Sequence, residues 1–308
     1  VSETQADDSG AAQTEFDALS EVAAELGLGA DSIPSVRRTS VDIGTGQKVS
    51  VLVWGTADPE LVFVHGGGQN AHTWDLVAMR LGRPAIAVDL PGHGHSDWRP
   101  DHDYWPVENA IAIAAAIAEL APNAAAVIGM SLGGLTTIRL ASTRPDLVRR
   151  AVIVDVTPGV MLQTKTMTEE QRGTTALVGG QKTFATREEM VQAAVRASPR
   201  RPAEAVRRGV IHNTKQLADG TWAWRYDLPG DRKGPTDFSY LWDDVGSIAV
   251  PVLQVRGGES VFVSDADVAE FARRAPASRS EVVPGAGHSI QSDQPNALAT
   301  LIEHFVFD

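Results

Sequence analysis

The sequence predicts an α/β fold: a mostly parallel sheet of about eight strands, helices on both faces, and a helical insertion after the sixth strand. Three observations predict it. Short, continuously apolar runs alternate with helix-like stretches, the pattern of strands buried on both faces. A two-strand hairpin precedes the alternation. The alternation then stops for roughly 90 residues between Val156 and Val250, too long for one loop in a compact domain.

Each element has its own signal. The first dozen residues are polar and acidic and are expected to be loose. Phe16, Leu19, Val22, Ala23 and Leu26 recur at helical spacing and stop at Gly27, which suits a helix C-terminus. Val36–Ile43 and Lys48–Trp54 flank the turn Gly44-Thr45-Gly46 as an antiparallel hairpin. Further strands are expected at Leu61–Val64, Ala85–Asp89, Ala125–Gly129, Ala151–Val156, Val250–Val255 and Glu281–Val283. The interrupted stretch is polar and carries Gly179-Gly180, Pro199, Pro202, Pro229 and Pro235. It also holds Trp222, Trp224, Tyr226, Phe238, Tyr240 and Trp242, so a small helical subdomain is expected there. The chain thus divides into an acidic extension with a short helix (1–35), a core (36–157 and 246–308) and a helical cap (158–245).

Composition narrows the function classes. The 308 residues include no cysteine, which removes a disulfide scaffold, a thiolate nucleophile and any cysteine-ligated metal. A net charge of −12 opposes nucleic acid or anionic lipid as the main partner. No window approaches the ~20 apolar residues of a membrane-spanning helix. The start lacks the basic-then-apolar order of a secretory signal. A soluble, cytoplasmic protein is expected, with no pattern that fixes its oligomeric state.

The most informative run is Ala125 to Gly134. A buried strand enters Gly129-Met130-Ser131-Leu132-Gly133, and a helix follows at once, the strand–turn–helix setting of a nucleophile elbow. Such a turn is tight enough to bring the residues two before and two after the serine against neighbouring backbone, hence the two glycines. Ser131 sits on the tip, at a helix N-terminus whose unpaired N–H groups can hold an anion. The strand Leu61–Val64 ends in His65-Gly66-Gly67-Gly68, a second turn whose N–H groups can face one carbonyl oxygen. An acyl-transfer site takes one donor from such a loop and one from the residue after the nucleophile, which names Gly67 and Leu132. His288, in Gly285-Ala286-Gly287-His288, lies just beyond the last strand, where it can reach over the sheet's carboxyl edge.

Other readings of these residues compete. Gly66, Gly68 and Ala71, with Asp89 ending the next strand 23 residues after Gly66, imitate a dinucleotide fingerprint. The hairpin ahead of this strand, His65 before the first glycine, and the otherwise unused serine turn weigh against it. His93 and His95 with Asp89 and Asp97 suggest a metal, but lack a helical i, i+4 pair and a clear third ligand. Neither a metal nor a cofactor is expected. Asp89 is expected to brace its own turn.

The strand ending in His-Gly-Gly, then DLPGHGHSD, GMSLGG and GAGHS, resembles the α/β-hydrolase fold family in identity, order and sheet position. The likeness spans roughly Val36 to Asp308. It implies the chain order serine, acid, histidine, and a cap where the insertion lies. Families of this fold carry the acid after the sixth or the seventh strand. After the sixth, Asp155 follows Ser131 by 24 residues, a spacing similar to haloalkane dehalogenases and resorcylic-lactone hydrolases. After the seventh, Ser260 falls near where an aspartate is often seen, with Glu259 adjacent. Asp155 is the expected acid and Glu259 the alternative. A serine at the elbow also departs from the dehalogenases and epoxide hydrolases of this fold, which need an aspartate there.

The resemblance implies a serine hydrolase acting on a small-molecule ester or lactone, with Ser131, His288 and Asp155 as the triad. Its alternatives are a carbon–carbon bond hydrolase of a diketone-like substrate, a cofactor-free perhydrolase or lyase, and a non-catalytic ligand-binding module. Trp74, Met130, Trp222 and Trp224 are expected in an apolar substrate pocket. No basic cluster marks an anion pocket, although Arg172, Arg187, Arg207, Arg208 and Arg225 of the cap could supply one.

Overall fold

The computed structural model describes residues 5–6, 12–44, 46–172, 175, 177–178, 180–199, 201–227 and 237–308. Residues 1–4 and 7–11 of the start expected to be loose lie outside these, as do Thr45, Gly179, Pro229 and Pro235.

Eight strands form one sheet: β1 (Val36–Asp42), β2 (Lys48–Trp54), β3 (Leu61–Val64), β4 (Ala85–Val88), β5 (Ala126–Met130), β6 (Ala151–Val154), β7 (Val252–Gly257) and β8 (Arg279–Val283). Their spatial order is β1-β2-β4-β3-β5-β6-β7-β8. The hairpin β1–β2 and the pair β2–β4 are antiparallel, and every other neighbour is parallel. The parallel strands point their carboxyl ends the same way, so β3, β5, β6 and β7 deliver their following turns to one edge.

Strand alternation splits the apolar side chains between two faces. Along β2, Val51 and Val53 join one buried cluster, whereas Leu52 and Trp54 join the other. The first cluster takes in Ile113 and Ile117 of α3 (Pro106–Leu120) and Leu135 and Ile138 of α4 (Leu132–Thr143). The second takes in Leu76 and Val77 of α2 (Asp75–Leu81), along with Leu298 and Ile302 near the C-terminus. Helix α1 (Leu19–Glu25) sends Leu19, Val22 and Ala23 into that same cluster, so this helix packs on the core. Gly27, at φ +69°, ends it as the pattern predicts.

The insertion carries helices, principally α5 (Arg187–Arg196) and α6 (Ala203–His212), but is not wholly helical. Thr183–Phe184, Thr214–Gln216 and Trp222–Trp224 form a small antiparallel sheet on which Met190, Val191, Val206 and Val210 pack. Its strands have two or three residues, too short to register as strand runs in sequence. Among the described residues no helix is long and apolar enough to cross a membrane.

Candidate active site

At the tip of β5 the backbone is forced into a rare conformation. Ser131 has φ +51° and ψ −118°, strained for a residue with a side chain. Glycines make this turn possible. A Cβ on Gly129 would lie 2.2 Å from the Gly133 carbonyl oxygen, and one on Gly133 would lie 2.3 Å from the Val64 oxygen. The Ser131 carbonyl closes the first turn of α4 by accepting from Leu135 N–H at 3.0 Å, while its hydroxyl makes no cap hydrogen bond to the helix.

His288, from the turn after β8, places Nε2 3.1 Å from Ser131 Oγ. Its Nδ1 lies 2.8 Å from Asp155 Oδ2. Asp155 ends β6 in the left-handed region at φ +52°, which an aspartate tolerates better than most side chains. It is fully buried and each oxygen is occupied: Oδ1 accepts from Gly257 N–H at 2.9 Å, and Oδ2 from Ser260 Oγ at 2.5 Å besides His288. Ser260 is itself oriented by accepting from Phe262 N–H at 3.2 Å. The strand-seven position therefore supplies a hydroxyl that supports the strand-six carboxylate. Glu259, the alternative acid, is exposed on the adjoining loop. The Phe262 ring stacks on the His288 imidazole with centroids 3.6 Å apart, fixing its plane. No motif in the sequence singles out Phe262.

The loop after β3 faces the serine. Gly67 lies against Leu132: a Cβ there would be 3.8 Å from Leu132 Cδ2. Among the described residues neither the Gly67 nor the Leu132 N–H donates to any acceptor. Two buried histidines hold this loop. His65 Nε2 accepts from Leu90 N–H at 2.9 Å, which leaves the proton on Nδ1 to donate to the Gly66 carbonyl at 2.7 Å. His93 Nε2 accepts Gly68 N–H at 3.1 Å while Nδ1 donates to the Pro91 carbonyl. Burial, reinforced by His93, pushes His65 down to about 3 against the pull of Asp89, and burial also lowers His93, so both rings stay neutral. Asp89 accepts from Ala71 and His95 N–H and pairs with Arg38 at 2.7 Å, bracing the turn as its position predicts.

Two chambers meet this site. One, of about 150 Å³, runs from Gly67 and Gly68 to Leu177, Val178, Trp224 and Tyr226. The other, of about 420 Å³, flanks His288 and Phe262. The cap reaches the core loop directly, with Asn213 Nδ2 donating to the Gly68 carbonyl at 2.7 Å. Of the expected pocket residues, Trp224 lines the first of these two chambers. Trp74 is a correction: it is fully buried and stacked on Phe63 at 5.0 Å, because the first turn leading into α2 points it into the sheet. Met130 is another, its sulfur packed beneath Gly66 since the residue before the elbow serine points inward. Trp222 lies under the Arg187 guanidinium, 4.1 Å away, on the small cap sheet.

His72, Asp75 and His212 bring one possible metal ligand each within 4.8 Å of one another. Burial disfavours charge on His72, but Asp75 at 2.9 Å and Glu15 at 3.4 Å outweigh it and raise it to about 9. His212 stacks on it nearly parallel at 3.9 Å, which sets the ring lone pairs side by side instead of converging. The cluster reads as a charge network joining the N-terminal segment, α2 and the cap.

A sequence model described as the alpha/beta hydrolase family matches residues 61–301. The esterase Rv0045c of Mycobacterium tuberculosis is 48% identical over 289 residues, covering 94% of each chain. A solved structure of that esterase superposes with a TM-score of 0.85 over 97% of this chain and 100% of its own. The 2-(acetamidomethylene)succinate hydrolase of Mesorhizobium japonicum is 29% identical over 80% of this chain and 88% of its own. A solved structure of E-2-(acetamidomethylene)succinate hydrolase has a TM-score of 0.74, covering 89% of this chain and 100% of its own.

Proposed function

Because this chain belongs to the alpha/beta hydrolase family, we propose that it is a serine esterase working through an acyl-enzyme on Ser131. His288 takes the Ser131 proton as Oγ attacks the ester carbonyl carbon, and Asp155 holds the imidazole and balances its charge. The carbonyl oxygen gains the electron pair and is received by Gly67 and Leu132 N–H. The tetrahedral species collapses, the carbon–oxygen bond to the alcohol breaks, and His288 delivers the proton to the leaving oxygen. Water then repeats the sequence on the acyl-enzyme, so one ester and one water give one acid and one alcohol.

The observation that carries this reading is the continuous chain from Ser131 Oγ to His288 Nε2 at 3.1 Å and from His288 Nδ1 to Asp155 at 2.8 Å, facing two undonated N–H groups. The similarity to an esterase along 94% of the chain supports the same reaction class. Lactones, which carry the same bond in a ring, are included as candidate substrates. The chamber of about 150 Å³ beside Gly67 is smaller than a typical ligand pocket of ~300–1,000 Å³, which favours a short acyl group.

A screen of esters and lactones of graded chain length, run on wild type and on Ser131→Ala, tests the reading. Turnover peaks at short chains, and Ser131→Ala or His288→Ala lowers kcat by ~10⁶. A fluorophosphonate labels wild type and leaves Ser131→Ala unmarked. Undiminished turnover in Ser131→Ala rejects the proposal.

A further inference from the structure

The arginines of the cap differ in what they touch. Arg207 pairs with Glu188 at 2.5 Å, and Arg208 pairs with Glu25. Arg225 Nε donates to the Thr214 carbonyl at 2.8 Å, and Arg187 lies on the Trp222 ring. Arg201, in the turn between α5 and α6, is the contrast. Among the described residues its guanidinium donates no hydrogen bond, and its Nε is buried without an acceptor. Asp293 Oδ1 is 3.9 Å away, at the outer limit of an ion pair, while Asp293 Oδ2 is already used by Gly287 N–H at 2.9 Å. Burial, only partly offset by Asp293 and Glu25, disfavours its charge, yet a guanidinium stays protonated at neutral pH.

Its position gives that charge a use. Arg201 and Thr175 line both chambers, the one beside Gly67 and the one beside His288. Arg172 lines the second chamber too; it spends one nitrogen on the Thr164 carbonyl at 2.9 Å and keeps a buried Nε without an acceptor. A guanidinium presents a planar fork of donors matched to a carboxylate, and such charge-assisted pairs are strong where water is scarce. Asp293 and the exposed Glu259 line the same chamber and temper its charge without supplying a bidentate partner to Arg201.

We propose that Arg201, assisted by Arg172, forms a carboxylate subsite, so that the preferred esters bear a second, free carboxylate in addition to the scissile bond. The proposal rests on the esterase reading and specifies its substrate class. Because Arg201 faces both chambers, the carboxylate belongs either to the acyl part or to the alcohol part, and two substrate pairs separate these. The first pair is the mono-4-nitrophenyl ester of glutaric acid against 4-nitrophenyl valerate. The second is the butyrate ester of 4-hydroxybenzoate against that of 4-hydroxybenzamide.

In one pair the acidic ester has the higher kcat/KM, and Arg201→Gln lowers the acidic-to-neutral ratio by ~10–100-fold, the range of a lost charged hydrogen bond. Arg201→Lys recovers part of it, which a merely structural role would not produce. Free glutarate also inhibits wild-type turnover of the neutral ester competitively, and glutaramide does not; this arm needs no variant to fold. Ratios near one that Arg201→Gln leaves unmoved, or absence of glutarate inhibition, overturn the subsite. Failure of the esterase reading looks different: no ester of either pair is turned over, and glutarate binding to wild type by calorimetry then decides the subsite alone.

Discussion

The carboxyl edge of the sheet and the cap above it treat buried charge in opposite ways. Asp155 is fully buried with a donor on every side: Gly257 N–H, the Ser260 hydroxyl and the His288 ring. Arg201 is half-buried, its Nε fully so, with no hydrogen bond among the described residues and one carboxylate at 3.9 Å. A buried charge left without a hydrogen bond is costly, and natural proteins keep one mainly where something else supplies its partner. The groups proposed for chemistry are thus organised by the fold in advance, whereas the group proposed for recognition is left for a substrate to satisfy. The same contrast holds for imidazoles. His65 and His93 have both nitrogens occupied by backbone, and His288 keeps Nε2 for Ser131.

Three experiments test that contrast. The largest effect belongs to the acid. Asp155→Asn lowers kcat by ~10⁴, since the amide disfavours the required His288 tautomer, while Glu259→Gln falls far short of that loss. Steady-state kinetics of the two variants, compared with intact melting curves, decides between the positions. A smaller effect is expected at Ser260. Ser260→Ala removes one charged hydrogen bond from Asp155 and lowers kcat by ~10–100-fold with little change in KM. An unchanged kcat would mean that the carboxylate does not depend on that hydroxyl.

The most gradual effect, spread over several pH units, is on stability. His65 titrates at about 3 in the fold, and its ordinary value is near 6.5, so below pH 6.5 the unfolded chain binds the extra proton and stability falls with falling pH. His72 has the opposite sign: raised to about 9, it stays protonated in the fold above its ordinary value, and its contribution is lost as pH climbs from 6.5 through 9. Each group changes stability by at most ~1.4 kcal/mol per pH unit. Melting temperatures measured from pH 5 to 9 should therefore peak near pH 6.5, and His72→Gln should flatten the alkaline limb only.

Much of this architecture is legible in the chain. Leu61–Val64 and Lys48–Trp54 appear as strands with the bounds their apolar runs mark. Gly129 and Gly133 mark the elbow because a side chain there would strike backbone only a few residues or one strand away. These signals are local or repeat with a fixed period. The cap is less legible: its strands of two or three residues carry no period, and Arg201 looks in sequence like any other arginine of the segment.

Strand alternation and the tight serine turn are written in short stretches of the chain, and with them come the sheet, the elbow and the order of the candidate groups. Packing between distant segments is what sets Ser260 behind Asp155, turns Trp74 and Met130 inward, and leaves Arg201 apart from the other cap arginines that have partners. The physical reason is distance along the chain. Asp155 meets His288 across 133 residues and Ser260 across 105, and which side chains share a cavity depends on how separately formed elements pack.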